Sequence, residues 1–126
     1  MKRSMMQIYV KDSSQAVRFY NKAFGAEILC NHKNDDGTVA HAELDVSGQV
    51  LAICEARETE TVTGNIMQFC LHFGEGTESH VKEIYDALKE DCIEITAPIT
   101  GPGECPWSPC LFGLIDKFGV NWCIFV

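Results

Sequence analysis

Basic charge is scarce in this chain of 126 residues: ten Lys and Arg stand against 18 Asp and Glu, giving a net charge of −8. No nucleic-acid partner is expected, because phosphate recognition needs concentrated Lys and Arg. The deficit is uneven, with seven basic and nine acidic residues in 1–60 but three and nine in 61–126. Such a field favours cationic or neutral ligands near the C-terminal half. Long apolar runs are also missing. Nothing approaches the roughly 18 consecutive apolar residues of a membrane-spanning helix, and Met1-Lys2-Arg3 leads into no signal-peptide core. No membrane association and a cytoplasmic location are therefore expected.

The seven cysteines (30, 54, 70, 92, 105, 110 and 123) are odd in number, widely spaced and form no CxxC pair. That pattern offers neither a disulfide framework nor a zinc ribbon, so the thiols are read as reduced, mostly buried small hydrophobes. There is no phosphate-binding glycine loop, no dinucleotide fingerprint and no nucleophile with a readable base. What is present is an average apolar fraction of 46% on a length suited to one domain, here 1–126, able to bury a core without staples.

The order of elements repeats. Met5 to Val10 favours a strand, and Asp12 with Gln15 resembles a capping box opening a helix that carries Ala16, Phe19, Tyr20, Ala23 and Phe24 at helical spacing. Gly25 stops it. Strands are expected over Ala26 to His32, Val39 to Val46 and Gln49 to Glu55, with turns at Asn34-Asp35-Asp36-Gly37 and Ser47-Gly48. After a polar linker over 56–64, Ile66 to Phe73 reads as a strand, and Thr77 as the cap of a helix bearing Val81, Ile84, Tyr85 and Leu88. Ile93 to Ile95, Cys110 to Ile115 and Val120 to Val126 read as three more strands. The chain is thus α+β: two tandem βαβββ modules, about 1–60 and 61–126, expected to form a curved mixed sheet around a cavity. Leu44 to Ile53 parallels Ile115 to Ile124, with Asp, Gly and Ile in register.

Alternation assigns faces. Met6, Ile8 and Val10, then Ala40, Ala42 and Leu44, then Leu51 and Ile53, then Met67, Phe69, Leu71 and Phe73 should face the core. The other face carries Gln7, Tyr9, His41, Glu43, Cys54, Gln68, Cys70 and His72. A solvated face is the plain reading of such a set. Its Cys, Tyr, Gln and His content also fits a partly enclosed ligand cavity, to which Cys123 and Phe125 of the last strand would contribute. His41 and Glu43, two apart on one strand, share a face and are candidates for general base and orienting acid; a surface pair beside a rim is the alternative. Gly101 to Pro109 packs three prolines and two glycines into nine residues, which implies a shaped loop.

Three stretches carry a family resemblance: Ala16-Val17-Arg18-Phe19-Tyr20-Asn21-Lys22-Ala23-Phe24-Gly25-Ala26-Glu27, His41-Ala42-Glu43-Leu44 and Asp116-Lys117-Phe118-Gly119-Val120-Asn121-Trp122. With the repeated element order, they resemble the vicinal oxygen chelate superfamily of glyoxalase I, extradiol dioxygenases and bleomycin-resistance proteins, and within it the PhnB-like branch. The match departs at Lys117 and Val120, where the branch has Pro and His. The resemblance implies a ligand cavity and a homodimer, a pairing that would also cover exposed sheet edges. It also places Trp107 as a lid or lining of the cavity, with a subunit interface as the alternative. A Cys105–Cys110 redox couple is a third reading of that loop.

The superfamily's metal ligands come from the first and last strands of each repeat, which here fall on Met5, about Ala52, about Gln68 and Cys123. Such residues do not hold a hard or borderline divalent ion, so neither the usual metal centre nor a cofactor is expected. A softer ion on Cys54, Cys70, His72, His41 or Glu43 stays open. Three functions follow from the resemblance: a PhnB-like binder of a small organic molecule, a bleomycin-type antibiotic-sequestering protein, and a lyase or dioxygenase with atypical Cys/His ligands.

Overall fold

A computed structural model describes residues 1–57, 60–64 and 66–126. Positions 58 and 59 of the polar linker lie outside the described residues. The chain divides into two compact units, Met1–Val62 and Thr63–Val126. The first contains β1 (Met6–Val10), α1 (Ser13–Phe24), β2 (Glu27–Lys33), β3 (Val39–Val46) and β4 (Gln49–Glu55). The second contains β5 (Phe69–His72), α2 (Glu78–Leu88), β6 (Glu94–Ala97), β7 (Leu111–Ile115) and β8 (Asn121–Phe125). Each module has its own four-stranded mixed sheet, ordered β1-β4-β3-β2 and β5-β8-β7-β6. The first and last strands of each module run parallel and the other neighbours antiparallel. The two-βαβββ reading therefore holds. No helix among the described residues is long and apolar enough to cross a membrane.

In the first unit, Ala16, Val17, Tyr20, Ala23 and Phe24 of α1 are buried and form the stripe that meets the sheet, which offers Val10, Ala42, Leu44, Leu51 and Ile53. Gly25 ends the helix at φ 59°, a conformation open to glycine without steric cost. The expected capping box does not form. Asp12 itself lies in the left-handed region, and its backbone carbonyl, not its carboxylate, accepts from the Gln15 and Ala16 amides. Thr77 precedes α2 but likewise makes no side-chain cap; its hydroxyl donates to the Gly74 carbonyl at 2.6 Å.

Two bulges reset the β2–β3 pairing. Leu29 and Ala40 are the extra residues, so Val39 is buried and Ala40 exposed, correcting the assignment of Ala40 to the core. The strand expected over Ile66 to Phe73 is only Phe69–His72, with Met67 well exposed.

In the second unit, Val81, Ile84 and Leu88 of α2 and Phe112, Leu114, Trp122 and Ile124 of the sheet are fully buried. The Asp116–Trp122 stretch is a structural device. Asp116 is completely buried; Oδ1 accepts from the Phe118 and Val120 amides at 2.9 and 3.0 Å, and Oδ2 accepts from Trp122 Nε1 at 2.8 Å. A buried carboxylate is tolerated when donors surround it in this way.

Candidate functional site

Strand pairing arranges the polar face of the first sheet into two cross-strand rows. One row runs Gln7, Ala52, Glu43 and Cys30; the other runs Tyr9, Cys54, His41 and His32. Residues two apart on a strand share a face, so both rows lie opposite the face that α1 covers. Gln7 donates to the Tyr9 hydroxyl at 2.7 Å.

Glu43 is the centre of this face. Although nearly buried, its carboxylate accepts both guanidinium nitrogens of Arg3 at 2.8 Å and lies 3.0 Å from His41 Nε2. The Arg3 and His41 hydrogen bonds hold the Glu43 carboxyl down at about 2. An ionised carboxylate can only accept, so His41 Nε2 carries its proton toward Glu43. The other nitrogen, Nδ1, then faces the Cys54 sulfur at 3.7 Å and accepts from the thiol. Burial raises the Cys54 thiol above its ordinary range, which keeps it protonated in that role. The expected pairing of His41 with Glu43 is thus present, and it is the middle of a longer chain, Cys54–His41–Glu43–Arg3. Such a chain can pass a proton from a thiol to an imidazole held by a carboxylate.

Beside it lies a cavity of about 790 Å³ whose wall includes Tyr9, Val39, Cys54, Glu55, Ala56 and Arg57. Glu55 Oε2 is buried and has no hydrogen-bond partner among the described residues. Sequence reasoning placed Tyr9 and Cys54 on this face but missed Cys30 and Arg3, and it missed Glu55, which borders the cavity from the end of β4. Glu55 ends its strand, Cys30 reaches the Glu43 position through the Leu29 bulge, and Arg3 precedes the first strand; no local pattern marks any of them.

In the second unit, Cys70 pairs with Cys123, and His72 with Phe125. Burial and the neighbouring Cys70 and Cys105 thiols push Cys123 up to about 11. His72 stacks on Phe125 with centroids 4.6 Å apart, and Trp107 meets Phe125 edge-on at 5.5 Å while staying exposed. Gln68 lies before β5 and donates to Asn121 Oδ1 at 3.1 Å. The structure therefore assembles the predicted residues of this unit into a thiol group and an aromatic group. The Cys105 thiol acts electrostatically on Cys123, and Cys110 has its own thiol buried. The position opposite Cys123 that Glu43 fills opposite Ala52 is occupied here by Gly113. A Cβ at Gly113 would come 2.8 Å from Thr96 Oγ1, so no carboxylate can stand there without displacing Thr96.

The positions to which the resemblance assigns metal ligands do not suit a hard divalent ion. Met5 offers a thioether, Ala52 nothing, Gln68 an amide engaged by Asn121, and Cys123 a thiol that holds its proton.

The model of the Glyoxalase/Bleomycin resistance protein/Dioxygenase superfamily matches residues 3–124. Among solved structures, the chain resembles a putative 3-demethylubiquinone-9 3-methyltransferase, PhnB protein, of Bacillus cereus: TM-score 0.80, 23% identity, 99% of this chain and 98% of that one covered. It also resembles TioX of Micromonospora sp. ML1, with TM-score 0.64, 22% identity and 98% of each chain covered. A third is a variant of the fosfomycin resistance protein FosX of Listeria monocytogenes, solved with Mn(II) and 1S,2S-dihydroxypropylphosphonic acid: TM-score 0.63, 17% identity, 98% and 90% covered. No curated protein matches the sequence. With the family model spanning nearly the whole chain and both βαβββ modules in place, the chain belongs to the Glyoxalase/Bleomycin resistance protein/Dioxygenase superfamily.

Proposed function

We propose that this protein is a PhnB-like member of the superfamily that binds a small organic molecule in the first module's cavity, without the family's usual divalent centre. The observation that carries the reading is the unpartnered Glu55 oxygen buried beside that cavity of about 790 Å³. A buried acceptor without a donor costs about 1–3 kcal/mol, and a ligand bringing an N–H, O–H or cationic group would recover it once the Glu55 side chain turns Oε2 into the cavity. Tyr9 and the aliphatic Val39 and Ala56 supply apolar wall, so the ligand is mixed in character, with one donor end.

The reading includes a single 1–126 domain, a cytoplasmic location and a homodimer. Pairing between copies is supported by Ile28, Leu29, Ile93 and Ile95, all exposed on or beside β2 and β6 at the ends of the two sheets. Sedimentation at micromolar concentration should give a dimer.

A thermal-shift screen of small metabolites and glycopeptide antibiotics, run with and without EDTA, tests the function. Expected are ligands that raise Tm equally in both conditions and bind about tenfold more weakly to Glu55→Gln, the equivalent of one lost charged hydrogen bond. Ligands that bind only with added divalent ion, or that ignore Glu55→Gln, would overturn it.

A further inference from the structure

We propose that Cys30, His41 and Glu43 form a binding site for a thiophilic divalent cation of the zinc class, displaced from the positions where the superfamily carries its metal. The three ligand atoms, one from each residue, lie within 4.8 Å of one another. They converge because of the register: Cys30 on β2 stands directly opposite Glu43 on β3, and His41 is two residues from Glu43 on the same face. Tetrahedral zinc with bonds of about 2.0–2.3 Å needs ligand atoms roughly 3.3–3.8 Å apart. Side-chain rotation closing the triangle by about an ångström meets that requirement.

A cationic side chain already sits against these ligands. Both guanidinium nitrogens of Arg3 sit on the Glu43 carboxylate, and the charge of Arg3 is felt by Cys30 as well. Arg3 stands where a cation belongs, on a side chain that is half exposed and precedes the first strand, so it can leave. One thiolate and one carboxylate neutralise a divalent ion. The thiolate selects zinc, or cobalt as its probe, over magnesium, calcium or manganese. Three protein ligands leave a fourth position for water or an exogenous ligand, the coordination of a reactive rather than a purely structural zinc site.

Cys30 loses its thiol proton to solvent, the new bond being sulfur to metal. His41 gives up Nε2 to the metal and carries its proton on Nδ1, where the Cys54 sulfur, 3.7 Å away, becomes the acceptor and fixes the ring. Glu43 is already ionised. One proton is released per metal bound, and nothing is oxidised or reduced.

The test is Co(II) titration of the EDTA-stripped, full-length protein, followed by zinc competition, with far-UV circular dichroism confirming that each variant is folded. The expected result is one equivalent of cobalt with tetrahedral visible bands and a sulfur-to-cobalt charge-transfer band, both removed by zinc. Cys30→Ser should lose the charge-transfer band and bind more than about 100-fold more weakly, since even outer-shell changes cost about 10–100-fold. Arg3→Ala should keep the spectrum and bind roughly two- to fivefold more tightly, the worth of one exposed ion pair. Cys70→Ser should change nothing. The proposal fails if Cys30→Ser keeps the band while Cys70→Ser or Cys123→Ser abolishes it, if Arg3→Ala weakens binding, or if the wild type binds no cobalt.

Discussion

At the scale of single residues, the sequence marks positions whose side chains satisfy a backbone need better than positions that serve chemistry. Asp116 stands out because a turn containing Gly119 demands an acceptor, and Phe118, Val120 and Trp122 donate to it in full burial. Asp116→Asn keeps the shape but turns an amide N–H toward a donor. It should lower unfolding free energy by about 2–3 kcal/mol, the cost of stranding buried donors. Urea denaturation checks this, and a loss below about 0.5 kcal/mol would show that the network is dispensable. The His41–Glu43 pair was equally legible, because two residues apart on a strand is a statement about geometry. Alternation also puts Cys54 on their face, but Arg3 and Cys30 come from two other places in the chain, and only the folded register brings them in.

At the scale of elements, strand and helix positions follow from periodicity, while their defects do not. The helices appear where the apolar spacing puts them, and Gly25 stops α1 as expected. The bulges at Leu29 and Ala40 leave no mark on the alternation, yet they decide that Val39 is buried and that Cys30 meets Glu43. The β3–β4 hairpin is tighter than any other connection in the first sheet. Ser47 and Gly48 have φ of 52° and 94°, and Asp45 Oδ1 accepts the Gly48 amide at 2.6 Å. Positive φ at both positions is what a type I′ turn requires, and Asn-Gly is its preferred sequence. Ser47→Asn should therefore stabilise the protein by about 0.5 kcal/mol, and Gly48→Ala should destabilise it by about 1–2 kcal/mol. Thermal melts of the two variants should move in opposite directions; movement in the same direction would mean that the turn does not set the register.

At the scale of the whole molecule, duplication of the element order was visible, but the division of labour between the copies was not. The same strand positions hold an acid–imidazole–thiol chain in the first module and a thiol and aromatic group in the second. One cause is local. Gly113, crowded by Thr96, stands where Glu43 stands in the first copy, so the second copy has no carboxylate to orient an imidazole. The seven cysteines record this asymmetry and make it measurable. Cys70 is exposed, Cys54 and Cys110 are buried, and Cys123 is half-buried with its thiol held near 11. Since the thiolate is the nucleophile, a thiol that ionises near 11 stays unreactive through pH 9, whereas an exposed neighbour does not. Iodoacetamide labelling of the native protein at pH 8, read residue by residue by mass spectrometry, should modify Cys70 first and leave Cys54, Cys110 and Cys123 behind. Raising the pH toward 10.5 should bring up Cys123. Once Cys70 is capped, Cys123 loses its hydrogen-bonded thiol neighbour, so Cys70→Ala should bring its labelling to lower pH. If Cys123 reacts as fast as Cys70 at pH 8, burial and the thiol cluster do not control it, and the second module's face is open where the structure closes it.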